Sequence, residues 1–232
     1  MPGFFWGYDS TYILVLIGLA ITILAQSNVS SRLKKYSKVR CSSGMSGCEV
    51  ARAILDREGL SYVKVNSVGG KFTDYYDPKS QTVNLSDSTY NSTSISAVSV
   101  AAHECGHAIQ HKEEYAPLKI RTAIVPAANI GSKFGIPMVV VGMILSYNQF
   151  LMSTGIIVFS LAVLFQIVTL PVEFDASRRA LVILEDSLII ERDEVRSSKK
   201  VLSAAAMTYV AAAAASVLSL LRLILLSRSN RD

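Results

Sequence analysis

Two histidines and a glutamate in the segment VAAHECGHAIQH, residues 100–111, have the spacing of a metal-binding helix. His103 and His107 are four residues apart, so on an α-helix their imidazoles lie about 40° apart around the axis and one turn apart along it. Both rings can then bind one tetrahedral Zn²⁺, and Glu104 lies beside them, where it can take a proton from zinc-bound water. This H-E-x-x-H pattern predicts His103 and His107 as metal ligands and Glu104 as the catalytic base. The alternative is a helix with two partly buried histidines and a surface glutamate.

The same helix carries a third histidine and a cysteine that the spacing excludes from this ion. His111 lies about 12 Å along the axis from His103, too far to share one ion on an unbroken helix. It also lacks the preceding glycine turn of the metzincin pattern. Cys105 is rotated by about 100° or more from both histidines, which predicts a packed thiol. The chain has 3 cysteines and no tight C-x-x-C, which argues against a disulfide framework or a zinc ribbon.

Long apolar stretches before and after the motif indicate a chain that crosses a membrane several times. Half of the residues are hydrophobic and the mean hydropathy is +0.37. Residues 4–26 are long enough for one span, residues 124–146 and 151–171 predict two more joined by a short hairpin, and residues 202–226 form a fourth apolar stretch. Prolines and glycines in the second span predict kinks or close helix packing: Pro126, Pro137, Gly131, Gly135 and Gly142.

Charges beside the first span predict its orientation. Five basic residues without an acid follow it: Arg32, Lys34, Lys35, Lys38 and Arg40. The positive-inside rule places this side in the cytoplasm. Residues 1–11 hold no Lys or Arg, which argues against a cleaved signal peptide, and Phe4, Phe5, Trp6 and Tyr8 predict an interfacial aromatic belt. We attribute the formal charge of +5 to topology rather than to nucleic-acid binding, because no basic run is interleaved with aromatics.

A catalytic zinc usually needs a third protein ligand. The polar region between the first two spans contains several acids, but no motif around any of them marks it as a ligand: Asp74, Asp77, Asp87, Glu113 and Glu114. Glu173 is better placed, since it follows the second of two spans and an even number of crossings returns the chain to the side of the H-E-x-x-H helix. We therefore predict Glu173 as the third ligand. The alternative is an acid near a helix N-terminus, favoured by the dipole.

Four segments carry a family resemblance: AAHECGHAIQH, YAPL, LPVEFDASRRAL and LSAAAMTYVAAA. They resemble the YugP-like neutral zinc metallopeptidases, small bacterial membrane proteins, and the resemblance extends over nearly the whole chain. H-E-x-x-H with a glutamate far downstream on a second helix is the gluzincin arrangement. The resemblance implies His103, His107 and Glu173 as zinc ligands and Glu104 as general base.

One position departs from the wider gluzincin pattern. Membrane gluzincins often have an aspartate four residues after the third ligand, where it orients a ligand histidine. Ser177 occupies that position here, and Asp175 lies only two residues after Glu173, on a different helix face. Which group orients the imidazoles is therefore left open, and such groups affect metal affinity.

These observations predict a mainly α fold: a multi-span α-helical membrane protein with a small α+β gluzincin-like zinc peptidase domain. That domain is too small for an extensive core of its own, so we expect it to pack against the membrane helices. We divide the chain as follows: 1–28 as the N-terminal transmembrane anchor, 29–121 as the α+β catalytic domain with the H-E-x-x-H helix, 122–171 as a transmembrane hairpin, 172–200 as a cytoplasmic helix with the third ligand, and 201–232 as the C-terminal transmembrane helix.

The predicted function is a membrane-anchored zinc endopeptidase in the cell membrane, with its active site on the cytoplasmic side. Its partners would be the lipid bilayer and a cytoplasmic or membrane-proximal polypeptide, which could pair with QTVNLS, residues 81–86, as an edge strand. Oxyanion candidates are Arg178, Arg179, Tyr115 and Tyr209. One alternative is a non-catalytic scaffold stabilised by zinc. Another is a transporter, for which Lys133 would be the only charge well inside a span.

Overall fold

The computed structural model describes residues 10–229, and within them the fold is mainly α, as the sequence predicts. The aromatic belt predicted at Phe4, Phe5, Trp6 and Tyr8 lies outside the described residues. The helices are α1 (Tyr12–Tyr36), α2 (Gly47–Arg57), α3 (Ile95–Lys112), α4 (Ala116–Ile144), α5 (Gln149–Asp186) and α6 (Arg192–Ser229), and the strands are β1 (Lys64–Val68), β2 (Tyr75–Asp77) and β3 (Thr82–Ser86).

Four helices of the described chain are long and apolar enough to cross a membrane: α1, α4, α5 and α6. Helix α5 has 38 residues, which at about 1.5 Å per residue makes it roughly twice as long as a bilayer hydrocarbon core is thick. It does not end at Pro171, where the sequence analysis closes the span, but continues through it. Glu173 therefore belongs to a membrane-length helix rather than to a separate one.

The chain divides into two compact units. The first combines the described parts of Met1–Leu24, Ala123–Ile167 and Val210–Asp232. Glycines bring α4 and α5 together there: a Cβ built on Gly131 would lie 2.5 Å from the Val158 carbonyl oxygen, and one on Gly135 would lie 2.6 Å from the Phe159 Cβ. The close packing that the sequence predicts for these glycines is confirmed, because in lipid helices associate mainly through such small-residue contacts.

The second unit comprises Ala25–Thr122 and Val168–Tyr209. Its sheet has the order β1-β3-β2, with β1 parallel and β2 antiparallel to β3. The buried core joins α2, α3 and the sheet to the last turns of α5 and the start of α6, where Ala180, Leu184 and Val201 are fully buried. The buried core of the small α+β region thus includes the parts of α5 and α6 that extend beyond their apolar segments.

The sheet corrects one expectation. Residues 81–86 were predicted to form an edge strand, but β3 is the central strand and all five of its residues are buried. Alternating side chains indicate which face a strand buries, not how many neighbours it has. Among the described strands, the unpaired edges belong to β1 and β2.

Candidate active site

Helix α3 positions the two histidines and the glutamate of the motif. Ser94 caps it, its side chain accepting a hydrogen bond from the Ala97 backbone N–H. The His103 and His107 rings project to the same side, with centroids 4.7 Å apart and planes at 80°. Glu104 is only 8% exposed, and burial raises the pKa of its carboxyl group. The local sequence thus holds all three side chains on one rigid element.

Helix α5 brings Glu173 to the same point. Its Oε2 lies 3.3 Å from His103 Nε2 and 3.6 Å from His107 Nε2, and the side chain is almost fully buried. The approach of the two helices depends on Gly106, where an added Cβ would lie 2.7 Å from the Ala176 carbonyl oxygen. A larger residue at position 106 would separate Glu173 from the histidines.

These three side chains fit a zinc ion. One ligand atom from each lies within 4.8 Å of the others. In a tetrahedral site with bonds of about 2.0–2.2 Å, ligand atoms are separated by about 3.3–3.6 Å, which matches the two N–O distances. Within the described residues, Glu173 Oε2 is buried and has no partner in hydrogen-bond geometry, so this oxygen has a lone pair available to a metal ion.

Gln110 fixes the orientation of His107. The Gln110 side-chain amide donates to the Val172 carbonyl oxygen at 2.8 Å and to Asp175 Oδ2 at 2.9 Å. Its Oε1 therefore faces His107 Nδ1, 3.0 Å away, and must accept a hydrogen bond from it. His107 then carries its proton on Nδ1 and leaves the Nε2 lone pair available for a metal.

A hydroxyl takes the equivalent place at His103. Ser177 Oγ lies 3.2 Å from His103 Nδ1. Ser177, four residues after Glu173 where membrane gluzincins often have an aspartate, thus reaches His103. Gln110 was not predicted from the sequence, although its place three residues after His107 puts it on the same helix face.

The other residues considered from the sequence lie elsewhere or are already paired. Asp175 is bound to Arg178 and Arg179, each at 2.6 Å, and Arg179 also reaches Glu113 at 2.7 Å. The remaining acids have partners of their own: Asp74 with Ser86, Asp77 with Ser80, Asp87 with Gly70, and Glu114 with Lys119. Both arginines are therefore engaged by carboxylates.

His111 and Cys105 also lie apart from the three-residue cluster. His111 Nδ1 is 2.8 Å from the Tyr76 hydroxyl, and Cys105 is fully buried with its thiol near the Ala51 carbonyl oxygen. All three cysteines are free. Both placements agree with the helix geometry of the sequence.

A chain with these helices and this cluster has the features of a multi-pass membrane metalloprotein. A family model described as "Putative neutral zinc metallopeptidase" matches residues 11–228, and the chain belongs to this family. It is 47% identical over 219 residues to the "Putative membrane protease YugP" of Bacillus subtilis (strain 168), covering 94% of this chain and 97% of that protein. No solved structure matches the chain.

Proposed function

We propose that the chain is a membrane-anchored zinc endopeptidase that cleaves cytoplasmic or membrane-proximal polypeptides. The observation that carries this proposal is the convergence of His103, His107 and Glu173, with Glu104 directly beside one of them on α3. Structural zinc sites usually have four protein ligands, whereas catalytic sites have three and an open position. Three donors and an adjacent carboxylate favour a catalytic site over a scaffold.

Each residue of the site has a distinct role in this proposal. His103, His107 and Glu173 would hold the ion, which supplies Lewis acidity, lowering the pKa of water and polarising a peptide carbonyl. Glu104 accepts a proton from the attacking water and delivers it to the leaving amine. Within the described residues no side chain hydrogen-bonds its carboxylate, which leaves it available for this transfer.

Gln110 and Ser177 position the imidazoles in this reaction. Each faces an Nδ1 atom, so the Nε2 atoms point toward Glu173. Asp175 accepts a hydrogen bond from the Gln110 side-chain amide and is itself paired with two arginines. A hydrogen-bonded histidine is a more basic and better oriented ligand.

Tyr209 is our choice for stabilising the oxyanion. Its phenol hydroxyl lies near the carboxyl groups of Glu173 and Glu104. Tyr115 instead lies under the Arg179 guanidinium, 5.9 Å from its ring centre. A hydroxyl donor near the reacting carbonyl would stabilise the negative charge that develops on its oxygen.

The site faces the cytoplasm in this proposal. Helix α4 and the part of α5 that precedes Glu173 lie between the H-E-x-x-H helix and Glu173 in the chain, and two crossings would return it to one side. The basic run that follows the apolar part of α1 supports the cytoplasm as that side. If a substrate pairs as a strand, it must use β1 or β2; β2 contacts α3 through Tyr76 and His111 and is the nearer choice.

The test is a comparison of Glu104→Gln with Glu173→Gln in the purified full-length chain. Glu104→Gln should keep about one zinc per chain and lose roughly 10²–10⁴-fold in casein hydrolysis, because only the proton acceptor is removed. Glu173→Gln should bind zinc more weakly and recover in part with excess zinc, since an amide is a poor ligand for this ion. Wild-type turnover by Glu104→Gln would refute the peptidase and favour the scaffold.

A further inference from the structure

A cavity in the second unit lies between α1 and the start of α6, and none of the proposed zinc ligands lines it. It has a volume of about 620 Å³ and four cationic side chains line it: Arg32, Arg196, Lys199 and Lys200. Asn28 and Ser203 add polar groups to the wall. Neither the peptidase proposal nor the family description uses this cavity.

The cavity carries positive charge without compensation. Its lining contains no Asp or Glu. Among the described residues, no carboxylate forms an ion pair with any of the four cations, and Arg32 bonds only the Asn28 side chain, at 3.4 Å. Glu194, an acid near the start of α6, instead bonds the backbone and hydroxyl of Ser42. Four unpaired like charges around one space favour an anion that several donors can bind together.

The cavity wall changes from charged to apolar along one face of α6. Arg196, Lys199, Ser203 and Met207 follow at spacings of three or four residues, so they share that face. From Arg196 to Met207 the helix rises about 16 Å. Cations thus occupy one end of the lining, and the exposed Met207 beside buried Ala204 occupies the other.

Helices α1 and α6 each place their cations where an apolar stretch of the helix meets a polar one. Arg32 follows the apolar residues 12–25 of α1, and Lys200 directly precedes the apolar stretch 201–221 of α6. Basic residues at such boundaries face lipid headgroups, and basic pockets between membrane helices on the cytoplasmic side bind anionic lipids. The polarity gradient of the wall matches a phosphate headgroup followed by the start of its acyl chains.

We propose that this cavity binds the phosphate group of an anionic phospholipid. Arg32, Arg196, Lys199 and Lys200 would contact the phosphate oxygens, and Ala204 and Met207 would contact the first carbons of the acyl chains. A free phosphate ion would use the cations but not the apolar end. An acidic peptide could bind the cations whether or not they lay at the bilayer boundary, and it would not require one end of the cavity wall to be apolar. The proposal is independent of the peptidase activity.

The test uses two variants that each remove three positive charges. The lining variant is Arg196→Gln/Lys199→Gln/Lys200→Gln. The matched control is Lys34→Gln/Lys35→Gln/Lys38→Gln, three lysines at the end of α1 and just after it that lie outside the cavity wall. Each full-length protein is purified in neutral detergent, and bound lipid is measured by native mass spectrometry while phosphatidylglycerol, phosphatidylcholine, inorganic phosphate or polyglutamate is added.

Wild type and control should bind phosphatidylglycerol at least tenfold more tightly than phosphatidylcholine, and the lining variant should lose that preference. Equal losses in both triple variants would overturn the proposal, since net charge alone would then explain binding. Saturation by inorganic phosphate or by polyglutamate, with no preference for the lipid, would also overturn it. If the triple lining variant does not fold, Arg32→Gln and Lys200→Gln, each expected to weaken lipid binding severalfold, replace it in the same comparison.

Discussion

The two units of this chain bury different kinds of surface. In the first unit the buried cluster is hydrophobic, with Val139, Met152 and Phe159 among its members, and glycines allow α4 and α5 to approach closely. In the second unit, buried polar groups surround the candidate active site: Glu104, Gln110, Glu173, Asp175 and Ser177. The stability of the first arrangement depends on close packing of complementary surfaces. The stability of the second depends on a hydrogen bond or ion pair for each buried polar atom.

This contrast separates the effects expected from substitutions. A change in the first unit should lower stability and leave metal affinity unchanged. A change among the buried polar groups of the second unit should alter metal binding even where the fold survives. Within the described residues Glu173 Oε2 is buried without a hydrogen bond, and the proposed zinc ion would supply its partner.

The largest effect is expected from removing a histidine of the motif. His103→Ala or His107→Ala leaves two donors where three converge, so zinc content and hydrolysis should both fall to background. Metal analysis and a casein assay on the same sample measure the two quantities. Full zinc occupancy in either variant would show that the cluster is not the metal site.

The next prediction compares two glycines at equally tight helix contacts. An alanine Cβ at Gly106 or at Gly135 would lie 2.7 or 2.6 Å from its neighbour, so each Gly→Ala change should destabilise its unit by about 1–3 kcal/mol. Only Gly106 packs against the turn of α5 next to Glu173, at Ala176. Gly106→Ala should therefore weaken zinc binding, and Gly135→Ala should not.

Thermal unfolding and zinc titration of both variants give the answer. A lower unfolding temperature in both, with weaker zinc binding only in Gly106→Ala, is expected. Equal zinc affinity in the two proteins would mean that the approach of α3 and α5 at Gly106 does not position Glu173, which would contradict the geometric argument.

A smaller effect is expected at Gln110. Gln110→Leu removes the acceptor facing His107 Nδ1 and also the amide group that donates to the Val172 carbonyl and to Asp175. We expect zinc affinity to fall about 10–100-fold, as for other residues that orient a metal-bound histidine. Gln110→Glu restores the acceptor for His107 and should recover part of the affinity, whereas a purely structural role would be disturbed further by a second buried acid beside Asp175.

The sequence predicted the parts of the site that follow from local geometry. His103, Glu104 and His107 lie on one helix, so their relative positions depend only on the pitch of α3. Glu173 required one further step, the count of membrane crossings, and the structure does bring it to the histidines. These predictions needed no knowledge of tertiary packing.

Gln110 and β3 show what local geometry cannot supply. The partners of Gln110, Val172 and Asp175, are 62 and 65 residues away, so its role depends on how α3 packs on α5. The alternation in β3 gave its buried face but not its central position, because strand order is set by chain connections. The predicted end of the span at residue 171 is wrong, because Pro171 lies inside α5, and a proline can be accommodated inside a long helix when neighbouring groups satisfy the freed carbonyl.

The smallest effect is expected at His111, the histidine of α3 outside the metal cluster. Its Nδ1 shares a hydrogen bond with the Tyr76 hydroxyl, and burial, followed by the charges of Tyr62 and Asp77, raises the pKa of Tyr76 to about 12, so the phenol stays protonated throughout a neutral assay range. His111→Ala should cost about 1 kcal/mol of stability, as should Tyr76→Phe, and the double variant should cost less than the sum because both changes remove the same bond. Zinc content should remain at about one per chain in all three proteins. Loss of zinc in His111→Ala alone would make His111 a ligand and would require a different role for Glu173.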